Sequence, residues 1–113
     1  MTLVKIEIDL RLDKPVEVSY ARVVRESKKY IYRSVGAEKE KALARASLHK
    51  PIMESPTRGH YFVLSWTDDR TGIRQSQAVQ LGILQLLEEL EARMQRCAVR
   101  LNEAMEELYA MRE

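Results

Sequence analysis

The C-terminal third of the chain carries one continuous amphipathic pattern that is too long for a compact protein of this size. Between Gln80 and Arg112 there is no proline, and the one glycine, Gly82, stands near the start. Apolar or small residues recur there with heptad spacing, which predicts a single long helix whose apolar side faces a partner. The predicted oligomer interface consists of Ile83, Leu87, Leu90, Met94, Cys97, Leu101, Ala104, Met105, Leu108 and Met111.

The length of the predicted helix indicates which surface can bury its apolar side. A helix of roughly 33 residues is about 50 Å long, whereas a compact domain of this chain length is about 35 Å across. Either the segment bends back as two helices or its far end packs on another chain. Since no turn signal occurs between Leu84 and Arg112, we predict a homodimer or a higher homo-oligomer. Parallel and antiparallel pairing both remain open at this stage.

The first third of the chain predicts an antiparallel meander. Apolar residues alternate with charged ones from Val4 to Asp13, which is typical of a strand with one buried face. Asp13 to Pro15 has turn chemistry, and the alternation restarts at Val16. The run Arg22 to Ser27 fits either a continued strand or a helical turn, and Lys29 to Val35 has strand composition.

The middle of the chain predicts a short helix. Residues Ala37 to His49 are rich in Ala, Leu, Glu, Lys and Arg, which are good helix formers. Glutamates open this stretch, and Pro51 prevents its continuation. We therefore expect a helix over Ala37 to His49, followed by a loop from Pro51 to Gly59.

A second hairpin is expected between that loop and the long helix. Tyr61 to Trp66 reads as a strand, Asp68 to Gly72 as a turn, and Ile73 to Ala78 as the returning strand. The residues expected on its buried face are Phe62, Leu64 and Trp66. In outline, a hairpin from Gly59 to Ala78 followed by a helix resembles the small arm-binding domains of phage integrases.

These elements predict one α+β domain over residues 1–113. Residues 1–79 supply a small antiparallel sheet of about five strands, in two hairpin or meander units, and one short helix. Residues 80–113 supply the long C-terminal helix. A composition of 45% hydrophobic and 32% charged residues fits a folded chain. The single cysteine excludes an internal disulfide, and no export signal or membrane-length apolar run is visible, so we expect a cytoplasmic protein with no membrane partner.

No constellation of residues predicts enzymatic chemistry. His49 and His60 flank a loop far from Cys97, which gives no zinc spacing. Asp68 and Asp69 fit turn chemistry better than acid–base catalysis. The sequence therefore predicts a non-enzymatic interaction protein that needs no metal or cofactor.

A basic stretch gives the second hypothesis, nucleic-acid binding. Cations that neutralise phosphates are interleaved there with rings that can stack on bases. The predicted contacts are Arg22, Arg25, Lys28, Lys29, Tyr30, Tyr32 and Arg33. The competing interpretation is an ordinary charged surface, because about a quarter to a third of a protein surface is normally charged and hairpin edges carry lysine to avoid edge pairing. Small-molecule binding in a pocket between the sheet and the long helix is a third hypothesis.

Overall fold

The computed structural model describes residues 1–67 and 69–112, and the side chains of all of these except Arg74 and Gln75. It confirms the α+β class, with six strands rather than five. The strands are β1 (Thr2–Asp9), β2 (Val16–Glu26), β3 (Tyr30–Ser34), β4 (Glu40–Ala44), β5 (Ile52–Ser55) and β6 (Arg58–Ser65). A 3₁₀ turn covers Arg45–Ser47, and the helices are α1 (Arg70–Gln75) and α2 (Gln77–Arg112).

All six strands form one antiparallel sheet in the order β4-β3-β2-β1-β6-β5. The sheet curls, because the chain that leaves β4 at one edge crosses to β6 near the other. There Leu48 bridges to Phe62, and the amide of His49 donates a hydrogen bond of 3.0 Å to the Phe62 carbonyl. The curl also brings the guanidinium carbon of Arg33 on β3 to 5.2 Å from the Phe62 ring centre on β6.

The strand alternation of β1 divides the core into two layers. Ile6 and its neighbours on one face pack against α2, because successive side chains of a strand point to opposite faces. The buried residues of this layer are Val4, Ile6, Ile8, Tyr61, Val63, Ile73, Val79, Leu86 and Leu90. On the opposite face, inside the curl, Leu3, Ile31 and Phe62 are buried without help from α2.

The helix expected over Ala37 to His49 is wrong. Residues 40–44 form β4, which pairs with β3, and a 3₁₀ turn follows. The connection begins at Gly36, whose φ of 121° suits glycine, and the amide of Lys39 donates to the Gly36 carbonyl at 3.0 Å. Pairing with the edge of β3 therefore overrides the helix propensity of the sequence.

Two other expectations in this region are also wrong. The expected loop over Pro51 to Gly59 contains β5, which pairs with β6. In place of the returning strand over Ile73 to Ala78, the chain forms α1 and the start of α2. Asp69 caps α1, because its carboxylate accepts a hydrogen bond of 3.1 Å from the Thr71 amide. Asp68, the first residue of the expected turn, lies outside the described residues, and the outline likeness to integrase arm-binding domains fails without the second strand.

The buried face assigned to β6 is only partly right. Phe62 is buried inside the curl, but Trp66 is 84% exposed just beyond the end of the strand. Tyr61 and Val63, which lie on the opposite face of the strand from Phe62, are also buried, against α2. Both faces of this strand are covered, so alternation could not identify a single buried side.

The predicted long helix is confirmed as one uninterrupted α-helix. The Ser76 hydroxyl accepts a hydrogen bond of 3.3 Å from the Val79 amide at its start. Gly82 lies where α2 crosses the sheet, and a methyl group there would stand 2.8 Å from a Tyr61 ring carbon and 2.9 Å from Ile6. Glycine thus permits the close approach of this helix to β1 and β6.

Three titratable side chains on β1 and β6 have lowered pKa values, which predicts that the folded state becomes less stable as pH falls. Burial lowers the pKa of His60 below its ordinary 6.5. A hydrogen bond from Arg58 lowers the pKa of Glu7 below 4.5, and hydrogen bonds from Arg11 lower the pKa of Asp9 from 3.8 to about 2. Each group binds its proton more weakly in the folded state, so the unfolded chain takes up more protons as pH falls.

We expect the melting temperature to fall in two steps, the first beginning near pH 6.5 and the second below about pH 4.5. Thermal unfolding followed by circular dichroism between about pH 7.5 and 3.5 measures both steps. His60→Gln should remove the first step and keep the second. A wild-type melting temperature that stays constant between pH 7 and 5 would contradict the role given to His60.

Candidate self-association surface

The second half of α2 projects away from the sheet. Every residue from Met94 to Arg112, hereafter the projecting segment, is exposed. At 1.5 Å per residue this segment is about 28 Å long, which accounts for a molecule that measures 64 Å in one direction and 27 × 24 Å in the others. The helix does not bend back on itself.

The apolar side of the projecting segment continues the side of α2 that packs on the sheet. Val79, Gly82, Leu86 and Leu90 are the buried residues of α2. With 3.6 residues per turn, they span an arc of about 80° around the helix, and the later heptad positions fall within or beside it. These later residues, hereafter the helix stripe, are Met94, Cys97, Leu101, Ala104, Met105, Leu108 and Met111.

The larger residues of the helix stripe are well exposed. Met94, Leu101, Met105, Leu108 and Met111 have between 43% and 82% of their surface accessible. Soluble monomers rarely expose contiguous apolar patches of more than a few hundred Å². The continuous row of leucine and methionine side chains on this side of the projecting segment is therefore a candidate contact surface.

The structure divides the predicted oligomer interface into two parts. Leu90 is 1% exposed and belongs to the core of its own subunit, and Ile83 packs against the same core. Leu87 is partly exposed at the base of the projecting segment. The predicted interface residues from Met94 to Met111 are exposed. Sequence could not make this division, because both parts occupy the same heptad positions.

A groove at the base of the projecting segment was not foreseen from the sequence. It has a volume of about 600 Å³ and is lined by Leu10, Leu87, Leu90, Glu91, Met94, Gln95 and Ala98. Leu10 reaches it from the loop after β1, where the Leu10 amide donates a hydrogen bond of 2.9 Å to the Thr57 carbonyl. The alternation had placed Leu10 within the first strand, although β1 ends at Asp9.

Charges on the projecting segment and just before it are separated along the axis. Arg96 and Arg100 lie toward the sheet, Glu103, Glu106 and Glu107 lie toward the tip, and Arg112 is the last described residue; just before the segment, Arg93 stands among Glu89 and Glu91. Arg93 is 3.1 Å from Glu89 within the helix. A positive stretch and a negative stretch on one helix complement each other when two copies run in opposite directions.

The predicted nucleic-acid contacts do not form one basic surface. Arg25 is 2.9 Å from a Glu40 carboxylate oxygen and stacks 3.8 Å above the Tyr32 ring centre. Arg33 is buried inside the curl, on the opposite face of β3 from Tyr30 and Tyr32. The remaining contacts, Arg22, Lys28 and Lys29, are exposed on β2 and the turn after it. Nucleic-acid binding stays a prediction that these positions do not strengthen.

Other chemistry finds little support in the described part of the chain. No group of three or more His, Cys, Asp or Glu side chains in residues 1–67 and 69–112 could hold a metal ion. None of the helices described is long and apolar enough to cross a membrane. The space between α2 and the sheet is filled by Ile6, Tyr61 and Leu86, so small-molecule binding there also stays a prediction.

Comparisons with family models, curated proteins and solved structures find no match.

Proposed function

We propose that this protein is a non-enzymatic interaction module that forms a homodimer by antiparallel pairing of its projecting segments. The observation that carries the proposal is the helix stripe, which continues the core face of α2 for about 28 Å beyond the sheet. Pairing would bury this stripe and hold two sheets at opposite ends of a helical rod. A cytoplasmic location belongs to the proposal, since a lone exposed cysteine suits a reducing compartment.

The stripe is complementary to a second copy of itself. We place two antiparallel helices so that Cys97 lies opposite the partner's Leu101. The helix spacing then brings each of the remaining heptad positions opposite an apolar or small residue of the partner. The layers are then Leu87 with the partner's Met111, Met94 with the partner's Ala104, and Cys97 with the partner's Leu101, while the partner's Leu108 lies at the groove above the buried Leu90. A small residue faces a large one in two of these layers, which permits close packing.

Charge and shape favour the antiparallel direction over the parallel one. Antiparallel pairing places Arg93 beside the partner's Glu107 on both sides of the dimer. Near the twofold axis of the dimer, Arg100 lies beside the partner's Arg100, and Glu103 is one helical turn away. It also delivers the tip of the partner helix to the groove that contains Leu10. Parallel pairing would instead bring two sheets side by side at the same end of the rod.

Sedimentation and cysteine cross-linking test the proposal together. We expect a dimer at micromolar concentration, and no disulfide between copies when the wild type is oxidised. In the antiparallel register the two Cys97 residues are offset by about 6 Å along the axis in addition to their lateral separation, beyond the Cα–Cα reach of about 7 Å. Leu101→Cys should cross-link efficiently, because residue 101 lies opposite the partner's Cys97.

The control for cross-linking is the double variant Cys97→Ser, Leu101→Cys. Its single cysteine is offset from its copy by the same distance as Cys97, so it should not cross-link. A monomer by sedimentation would overturn the proposal as a whole. Cross-linking of the wild type through Cys97 would keep the dimer and overturn the antiparallel direction.

A further inference from the structure

A small cleft lies inside the curl of the sheet, on the face opposite α2. It has a volume of about 70 Å³, and strands β1, β2, β3 and β6 all contribute to it. Leu3 and Phe62 supply buried apolar walls, and exposed Ser19 lies toward the solvent. The remaining side chains that line it include Lys5 and Arg33. The cleft therefore combines the cations Lys5 and Arg33 and the hydroxyl of Ser19 with the apolar walls formed by Leu3 and Phe62.

Arg33 is the unusual member of this cleft. Its side chain lies over the Phe62 ring and only 9% of the residue is exposed, and Nη1 is buried without a hydrogen-bond partner. Among the described residues, no carboxylate lines the cleft. The nearest acidic residue along β1, Glu7, is already paired with Arg58 and Lys5.

A buried cation with no counter-charge is unfavourable, and an aromatic ring compensates for it only partly. Arginine is a favoured residue for binding oxyanions, because its planar fork donates two parallel hydrogen bonds to their oxygens. Lys5 adds a second positive charge at the opening, which it shares with the Glu7 carboxylate at 3.7 Å, and the Ser19 hydroxyl can donate or accept. The volume is several times that needed for one water molecule, so a group larger than water can enter.

We propose that this cleft binds a single tetrahedral oxyanion, a phosphate group that is either free or carried on a small ester. Arg33 provides the buried charge, Lys5 provides the second charge at the opening, and Ser19 provides a neutral hydrogen bond. The site is formed by the sheet alone, so it is independent of helix pairing. Its failure and the failure of dimer formation would therefore be seen in different measurements.

Thermal unfolding of the full chain tests the site. The buffer is held at constant ionic strength while chloride is replaced by inorganic phosphate, up to about 50 mM. We expect the melting temperature to rise by several degrees and to approach saturation, because an anion that binds only the folded state stabilises it. Methyl phosphate tests the ester, and acetate tests a planar carboxylate. An equal response to acetate would overturn the assignment to a tetrahedral anion.

Three variants separate binding from a purely structural role of Arg33. Arg33→Met should abolish the phosphate response and raise the melting temperature in phosphate-free buffer, because the unpaired buried charge is gone. Lys5→Met should weaken phosphate binding about tenfold. Lys28→Met, at an exposed cation in the turn after β2, should leave the response unchanged and serves as the charge-matched control.

Nuclear magnetic resonance titration provides a readout that does not depend on the stability of the Arg33 variant. Phosphate should shift the amide signals of Lys5, Ser19 and Arg33 in the wild type, and about tenfold more phosphate should be needed in Lys5→Met. A wild type that shows neither these shifts nor a phosphate-dependent melting temperature would overturn the proposal. Shifts confined to residues outside the cleft would overturn it as well.

Discussion

Replacing both Leu101 and Leu108 with glutamate is expected to turn the dimer into a folded monomer. Both side chains are exposed in the single subunit, so the change costs the sheet core nothing. In the paired helices each glutamate would enter an apolar seam, and four carboxylates per dimer would lose water without gaining a partner. Because leaving even one charge unpaired in an interface costs several kcal/mol, we expect the dimer dissociation constant to rise by about 1,000-fold or more.

Sedimentation over a range of concentrations measures this effect. The matched control is Val99→Glu with Tyr109→Glu, since both residues are similarly exposed but lie away from the helix stripe. The control has the same charge change in the same segment and should remain a dimer. The stripe variant should also lose helical circular dichroism, because an isolated helical segment of this length is only marginally stable in water. A stripe variant that sediments like the wild type would refute the proposed interface.

Long periodic signals could be predicted from the sequence. The helix pattern repeats over many heptads without proline, and α2 indeed runs from Gln77 to Arg112 without a break. The strand β1 was equally clear, because its apolar and charged residues alternate from Val4 to Asp9 and one face packs on α2. In both elements the local preference and the tertiary packing agree, which is the condition under which sequence patterns are reliable.

Short segments were decided by contacts that the sequence does not display. Residues 40–44 favour a helix by composition, yet they complete the sheet beside β3. The region after Asp69 looked like a hairpin, but the Asp69 side chain caps a helical turn instead. For β6, burial on both faces removed the alternation from which one side could be chosen. In each case a partner distant in sequence or a single capping bond outweighed a weak local preference.

For the candidate sites, too, the sequence predicted which residues could take part but not which contacts surround them. The helix stripe was predicted, but the point at which α2 leaves its own sheet was not, because heptad positions before and after Met94 look alike. Arg33 was grouped with Tyr30 and Tyr32 as one basic surface. The period-two rule for strands already separates Arg33 and Ile31 from those tyrosines, so this signal was present in the sequence. What it could not reveal was the curl that brings Phe62 against Arg33.

The first half of α2 should respond to mutation quite differently from the projecting segment. Leu86 is fully buried between α2 and the sheet, in the cluster that contains Ile6 and Tyr61. Leu86→Ala removes buried methyl groups and leaves a cavity that the β-sheet can only partly close. We expect it to lower the free energy of unfolding by about 3 kcal/mol, a large share of the roughly 5–15 kcal/mol typical of a protein domain.

The measurement is urea unfolding in the Leu101→Glu, Leu108→Glu background, so that dimer dissociation does not contribute to the observed stability. Leu84→Ala is the matched control. Leu84 lies on the same helix two residues away but is 51% exposed, so its loss should change stability by no more than about 0.5 kcal/mol. A loss below about 1 kcal/mol for Leu86→Ala would mean that the first half of α2 does not pack on the sheet in solution. The helix stripe could then no longer be regarded as the continuation of a core face.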